Sequence, residues 1–216
     1  MKYTIVIGNK NYSSWSMRPW LVLDHFGLEY DEVMVPLDMP ETRTTILSFS
    51  PSGRVPVLVD GGFAVWDSLS IIEYLAEKHP DLGIWPSDPH DRARARSLAA
   101  EMHGGFTGLR VACPMNLKAV KKFKARGGSA AARDVARFEG LISDRVARSG
   151  GPFLFGEWSA VDAMYAPMTA RLTGYSWPME PATQRYVEAV QSEASYKKWR
   201  AAALEERWVH PRSDRA

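Results

Sequence analysis

The chain has 216 residues, 45% of them hydrophobic and 24% charged, which suits one large or two small globular domains. A formal net charge of +2 is too near balance to argue for a nucleic-acid or membrane surface, and no apolar run approaches the roughly 18 residues of a spanning helix. The single cysteine, Cys113, excludes an internal disulfide, a Cys-x-x-Cys redox pair and a cysteine-based zinc site; the histidines at 25, 79, 90, 103 and 210 lack metal-ligand spacing, so no metal is expected.

The opening MKYTIVIGN turns polar too soon for a signal peptide, and the cytoplasm is the expected compartment. Residues 3–7 form an apolar, β-branched run that reads as a strand ending at Gly8. After a polar loop, Met17, Trp20, Leu21, Leu23 and Phe26 repeat at helical spacing; Ser16 is the candidate N-cap, Pro19 falls in the first turn, and Gly27 closes the helix. A second strand over residues 30–35 and a short helix over 40–49 follow.

The most informative stretch is residues 53–68, GRVPVLVDGGFAVWDS. Turn chemistry at Ser50–Gly53 leads into a strand at residues 57–59, and Asp60-Gly61-Gly62 turns it back as a hairpin with residues 63–66. Leu69, Ile72, Leu75 and Ala76 then continue at helical spacing, with Asp67 or Ser68 as N-cap. Pro56 stands at the mouth of a strand, where a cis Val55–Pro56 bond would leave the Val55 backbone groups open to an extended peptide. The nearby helix N-terminus offers free N–H groups to a carboxylate. The same residues also read as an ordinary hairpin and a capped helix.

From His79 to His90 the run HPDLGIWPSDPH has the composition of a linker, with Ile84 and Trp85 as an apolar plug. The domains expected are therefore residues 1–79 and 91–216, joined by 80–90. Beyond the linker strand signals disappear, and residues 91–110, 129–148, 159–173, 181–190 and 195–205 carry helical periodicity. Ser159 to Asp162 has the form of a capping box, with Trp158 placed to staple against Ala163; Asp162→Ala should cost on the order of 1 kcal/mol. Met102, Phe106 and Arg110 recur every four residues and so share a face of the first long helix, either as core or as a ligand wall. Gly104, Gly105 and Gly108 in the same stretch predict a kink or a close backbone approach. Arg110 is the candidate for an anionic substrate, whereas His103 reads as a satisfied surface or core group. Residues 118–137 hold seven basic side chains against Asp134 and read as a solvated helix face that could steer anions; with Phe123 its only aromatic, the run is a poor nucleic-acid surface.

Residues 11–20, NYSSWSMRPW, set serine hydroxyls just before a helix N-terminus, the environment that favours a thiolate. Lowering a thiol pKa by two units takes about 2.7 kcal/mol, within reach of one donor and one helix end.

Together, the Val-Pro before a strand, the Asp-Ser opening the next helix with Ile71-Ile72-Glu73-Tyr74-Leu75 behind it, and the Ser-Ser-x-Ser-x-Arg run resemble the glutathione S-transferase family, serine-type, with a zeta-like N-terminal motif. The resemblance implies a thioredoxin-like N-terminal domain, an all-helical C-terminal domain, glutathione as co-substrate and a homodimer. By the same resemblance Ser13 matches the hydroxyl that stabilises the glutathione thiolate, and Ser14 is its neighbour. Val55, beside Pro56, pairs with the cysteinyl unit, Asp67 attracts the γ-glutamyl ammonium, and Ser68 receives its carboxylate. Arg54 either reaches the glycyl carboxylate or is a solvated turn charge. The electrophile site lies between the domains, at Trp15, Met102, Phe106 and Arg110. Trp15 stands where the zeta pattern has cysteine, and Pro19-Trp20 replace its Val-Arg. The implied function is attack of the thiolate on a small hydrophobic electrophile. Zeta-like cis-trans isomerisation or dehalogenation, and a non-catalytic binding or regulatory module, are the alternatives.

Overall fold

The computed structural model describes residues 2–210 and Ser213. Its N-terminal half is built from β1 (Tyr3–Ile7), α1 (Ser14–His25), β2 (Tyr30–Met34), α2 (Thr42–Leu47), β3 (Val57–Asp60), β4 (Phe63–Trp66) and α3 (Ser68–Lys78). The strands lie in the order β2-β1-β3-β4; β1 and β2 are parallel, and the other pairs antiparallel. The alternation of β1 explains its central place, because a strand covered on both faces must be apolar on both. Ile5 and Ile7 join the main core with Leu21, Leu58 and Ile72, while Val6 packs with Val35, Ile46 and Val57 on the α2 side. This is the thioredoxin-like arrangement expected from the order of elements.

A turn of 3-10 helix at Pro80–Leu82 leads to α4 (Pro89–Gly104), with Ile84 and Trp85 buried between. The helical half continues with α5 (Thr107–Ala112), α6 (Gly128–Ser149), α7 (Ala160–Gly174), α8 (Pro181–Ser192) and α9 (Ala194–Glu205). Helix α7 is buried along almost its whole length, its Asp162, Thr169 and Arg171 included, and packs on α1, α4 and α8. Its capping box forms as expected, with Asp162 accepting from the Ser159 backbone N–H at 3.0 Å. Trp158 stacks on His25 at 3.9 Å between ring centres, so the residue before the cap ties α7 to the end of α1. No helix among the described residues is long and apolar enough to cross a membrane.

Three expectations need correction. First, α1 begins at Ser14 and is capped by Ser13 rather than Ser16, so Pro19 sits beyond the first turn. Second, residues 91–110 are not one helix. Phe106 takes a left-handed conformation (φ 55°) between α4 and α5, and Met102, Phe106 and Arg110 consequently do not share one helical face. Beyond the break, a Cβ at Gly108 would lie 2.7 Å from the Ala130 carbonyl carbon, so α5 and α6 meet through backbone. Third, the basic run is only partly a helix face, because residues 118–127 are irregular and α6 begins at Gly128.

Candidate active site

Two neighbouring cavities share Trp15, Arg54 and Val55. One, of about 280 Å³, is completed by Ser52, Pro56, Asp67, Ser68 and His103. The other, of about 340 Å³, includes Tyr12, Ser13, Ser14, Leu37 and Asp38. The turn before β3, the start of α3 and the start of α1 thus open onto one depression, and the residues singled out in three separate segments converge there.

Each wall has a local cause. Ser13 caps α1: its Oγ accepts from the Ser16 backbone N–H (3.3 Å) and donates to Ser16 Oγ (2.7 Å), which also accepts from Gly8 N–H (3.1 Å). That chain fastens the loop to the end of β1. Ser14 is the first helical residue, and its Oγ accepts from Arg171 Nη2 of α7 at 3.3 Å. The Val55–Pro56 peptide is cis. Asp67 is the N-cap of α3; its Oδ1 accepts from Leu69 N–H (2.9 Å) and Ser70 N–H (3.3 Å). Its other oxygen lies 3.2 Å from His103 Nε2 of α4. The Ser68 hydroxyl is buried without a hydrogen-bond partner among the described residues, although it lines the cavity at a helix N-terminus. Arg54 is exposed on the rim.

Of the proposed electrophile residues, Trp15 and Arg110 belong to this region and the other two do not. Met102 and Phe106 are buried in the core and line neither cavity; Phe106 meets Tyr165 edge-on at 6.0 Å. The Trp15 ring instead lies between two guanidinium groups, Arg18 at 4.5 Å and Arg110 at 4.6 Å, with His103 edge-on at 5.0 Å.

The electrostatics are one-sided. Arg18 is fully buried, and none of its three guanidinium nitrogens has a hydrogen-bond partner among the described residues. Burial, followed by repulsion from Arg110 and Arg171, pushes it down to about 9. Arg171 is pushed down to about 10 by burial and by Arg110; it donates to the Pro167 carbonyl at 2.9 Å, and its Nε is unpaired among the described residues. Burial also lowers Arg110, which donates to the carbonyls of His103 (3.0 Å) and Gly105 (3.2 Å). All three remain cations at neutral pH, and none is hydrogen-bonded to a carboxylate among the described residues. Burial, with Arg18 and Arg110 adding repulsion, holds the His103 imidazolium below its ordinary range despite Asp67. Buried charge left uncompensated is costly, so this wall is built to favour an anion. Arg171 had no place in the sequence reading, and His103, read there as a satisfied group, instead lines the cavity with its Nδ1 unpartnered among the described residues. Neither stands in a motif, and each enters the site only through helix packing.

A thioredoxin-like domain whose cis-proline turn, capped α3 and serine-started α1 face two adjoining cavities, backed by a helical bundle, has the architecture of the glutathione transferases. Residues 12–78 match the family model for the glutathione S-transferase N-terminal domain. Among relatives, the chain is 36% identical over 134 residues to a Caenorhabditis elegans protein named "Probable maleylacetoacetate isomerase", covering 60% of this chain and 58% of that one. It is 43% identical over 82 residues to a zeta-class glutathione S-transferase of Euphorbia esula, covering 38% of this chain and 36% of that one. The chain thus spans between about a third and three-fifths of the length of these relatives. A crystal structure of a glutathione transferase homolog from Burkholderia GL BGR1, with bound glutathione, superposes with a TM-score of 0.74 at 25% identity, over 95% of this chain and all of that one. The N-terminal half is thus similar to the glutathione S-transferase N-terminal domain, and zeta-class proteins are among the relatives.

Proposed function

We propose that the protein binds glutathione in the shared depression and uses its thiolate to attack a carbon electrophile. The observation that carries this reading is the convergence of four features on two adjoining cavities joined through Trp15, Arg54 and Val55: the start of α1 with Ser13 and Ser14, the cis Val55–Pro56 turn, the Asp67 carboxylate, and the Ser68 hydroxyl, unpartnered among the described residues. In this reading the Val55 backbone pairs with the cysteinyl unit and Asp67 attracts the γ-glutamyl ammonium. Ser68 and the first N–H groups of α3 receive its carboxylate, and Arg54 reaches the glycyl carboxylate from the rim. In a transferase the sulfur–carbon bond forms as the leaving group departs with its electron pair.

The arginine-lined wall favours a second reading, a zeta-like isomerase acting on an anionic cis-diacid. There the sulfur adds to one alkene carbon, the resulting single bond rotates, and the sulfur is expelled with the electron pair restored to the double bond. The isomerase name carried by the nematode relative supports this alternative. A homodimer is proposed as well, supported by the exposed Phe63 and Trp66 on β4, an edge strand of the sheet.

The test is retention on immobilised glutathione. Wild type should be held, Ser68→Ala should bind roughly tenfold more weakly, and so should Asp67→Asn, which keeps a capping side chain while losing the charge. Equal retention of all three proteins would remove the γ-glutamyl assignment. Assays with an aryl halide, a maleyl-type cis-diacid and a hydroperoxide then separate the reactions, and isomerisation of the diacid alone would make the second reading the better one.

A further inference from the structure

The two adjacent serines of the depression are bonded in different ways, and the difference bears on which of them serves the sulfur. Ser13 Oγ is occupied on both sides. It accepts from the Ser16 N–H and spends its only proton on Ser16 Oγ at 2.7 Å, in a buried chain that reaches back to Gly8. Turning that proton toward a ligand would undo the chain that fixes the loop. Ser14 Oγ makes one hydrogen bond among the described residues, as acceptor from Arg171 Nη2. Its proton is therefore free, and it lines the same cavity as Ser13 and Val55. A hydroxyl that accepts from a cation is polarised and becomes a stronger donor in turn.

Arg171 reaches Ser14 across the boundary between the two halves, from the buried α7 packed on α1. Its other terminal nitrogen is anchored to the Pro167 carbonyl one turn back, which fixes the direction of the group. The titratable and charged groups facing it are Arg18 from α1, Arg110 from α5, Cys113 just beyond α5 and Tyr175 just beyond α7. None of these is a carboxylate, so no acid among the described residues neutralises the cation.

We propose that Ser14, polarised and oriented by Arg171, is the hydroxyl that donates to the sulfur of bound glutathione, and that Ser13 is the cap that holds the loop. This rests on the glutathione-binding reading and refines its mechanism. On ionisation the thiol proton leaves to solvent, and the sulfur lone pair takes the Ser14 hydrogen bond. Arg171 is a positioning residue that acts through Ser14. The helical half thereby contributes to activating a ligand held by the thioredoxin-like half.

The experiment titrates the thiolate absorbance of the glutathione complex between pH 5 and 10, with affinity measured separately by calorimetry. Ser14→Ala should raise the thiol pKa by about one to two pH units, a ten- to hundredfold loss of thiolate at a fixed lower pH, with affinity little changed. Ser13→Ala should raise it by less than about half a unit while lowering the unfolding midpoint, as removal of a cap does. Arg171→Met should raise it by about one unit in the wild-type background and by less than about a third of that in Ser14→Ala, because the two act as one unit. A larger shift for Ser13→Ala than for Ser14→Ala would overturn the proposal, as would an Arg171→Met shift of equal size in both backgrounds. Should Arg171→Met not fold, the two serine variants still identify the donor. If wild type neither binds glutathione nor shows a thiolate, the binding reading itself falls. Binding with a normal titration in Ser14→Ala removes only the present inference.

Discussion

Trp15 occupies an unusual position for an aromatic ring, between the guanidinium groups of Arg18 and Arg110 at nearly equal distances. Attraction between a cation and the ring face offsets part of the cost of burying each charge, but neither cation gains an acid partner among the described residues. Arg110 is only half-buried and lies nearest to solvent of the three arginines, so it is the one an incoming carboxylate would meet first. If the anionic-substrate reading holds, Arg110→Met should raise KM for a cis-diacid about tenfold, the worth of one charge-assisted hydrogen bond, and change conjugation of a neutral aryl halide by less than about twofold. Steady-state kinetics with both substrates checks this, and equal losses on both would reassign Arg110 to packing. At this scale the motif residues were legible because each has a local signature: Ser before a helix, Pro before a strand, Asp-Ser before an apolar stripe. His103 and Arg171 had none, since their partners Asp67 and Ser14 are 36 and 157 residues away.

Among the elements, α7 shows how tertiary partners enlarge a local motif. The capping box was readable from Ser159 and Asp162 alone and suggested a cost near 1 kcal/mol for losing the carboxylate. In the folded protein Asp162 is fully buried and also accepts from Leu154 N–H at 3.2 Å and from Tyr186 Oη at 3.1 Å. Asp162→Ala would strand several buried donors, so the expected loss is roughly 3 kcal/mol or more, read from denaturant unfolding, with glutathione affinity unchanged. Burial raises the Asp162 carboxyl to about 6 in spite of the hydrogen bonds from Leu154, Ser159 and Tyr186. A carboxyl whose folded pKa lies above its unfolded value binds its proton more tightly in the native state. Its stabilising contribution is therefore present below about pH 4 and lost as pH rises through about 6. The stability gap between wild type and Asp162→Asn should accordingly narrow over that range; a widening gap would mean that hydrogen bonding outweighs burial. The break between α4 and α5 is the opposite case. The glycines announced an interruption, but its place and the fate of Phe106 depended on where α6 packs.

For the whole molecule, the edge strand β4 presents Phe63 at 62% exposure and Trp66 at 45%, large apolar surfaces for an isolated chain. The expected species in solution is a homodimer of twice the 24.2 kDa chain, which light scattering on an eluting peak measures directly. Phe63→Glu should shift it toward the monomer, and an unchanged mass would move the interface elsewhere. The sequence by itself determined the order of elements, the two-part architecture and the motifs that line the depression, because strand alternation, helical stripes, turns and caps are set by neighbours a few residues apart. Only the tertiary structure decided that Met102 and Phe106 belong to the core, that Arg18 and Arg110 flank Trp15 while Arg171 reaches Ser14, none with an acid partner among the described residues, and that Ser13 is engaged while Ser14 keeps a free proton. Those outcomes depend on which helix faces meet and on which buried polar groups find partners, and both are properties of packing between segments far apart in the chain.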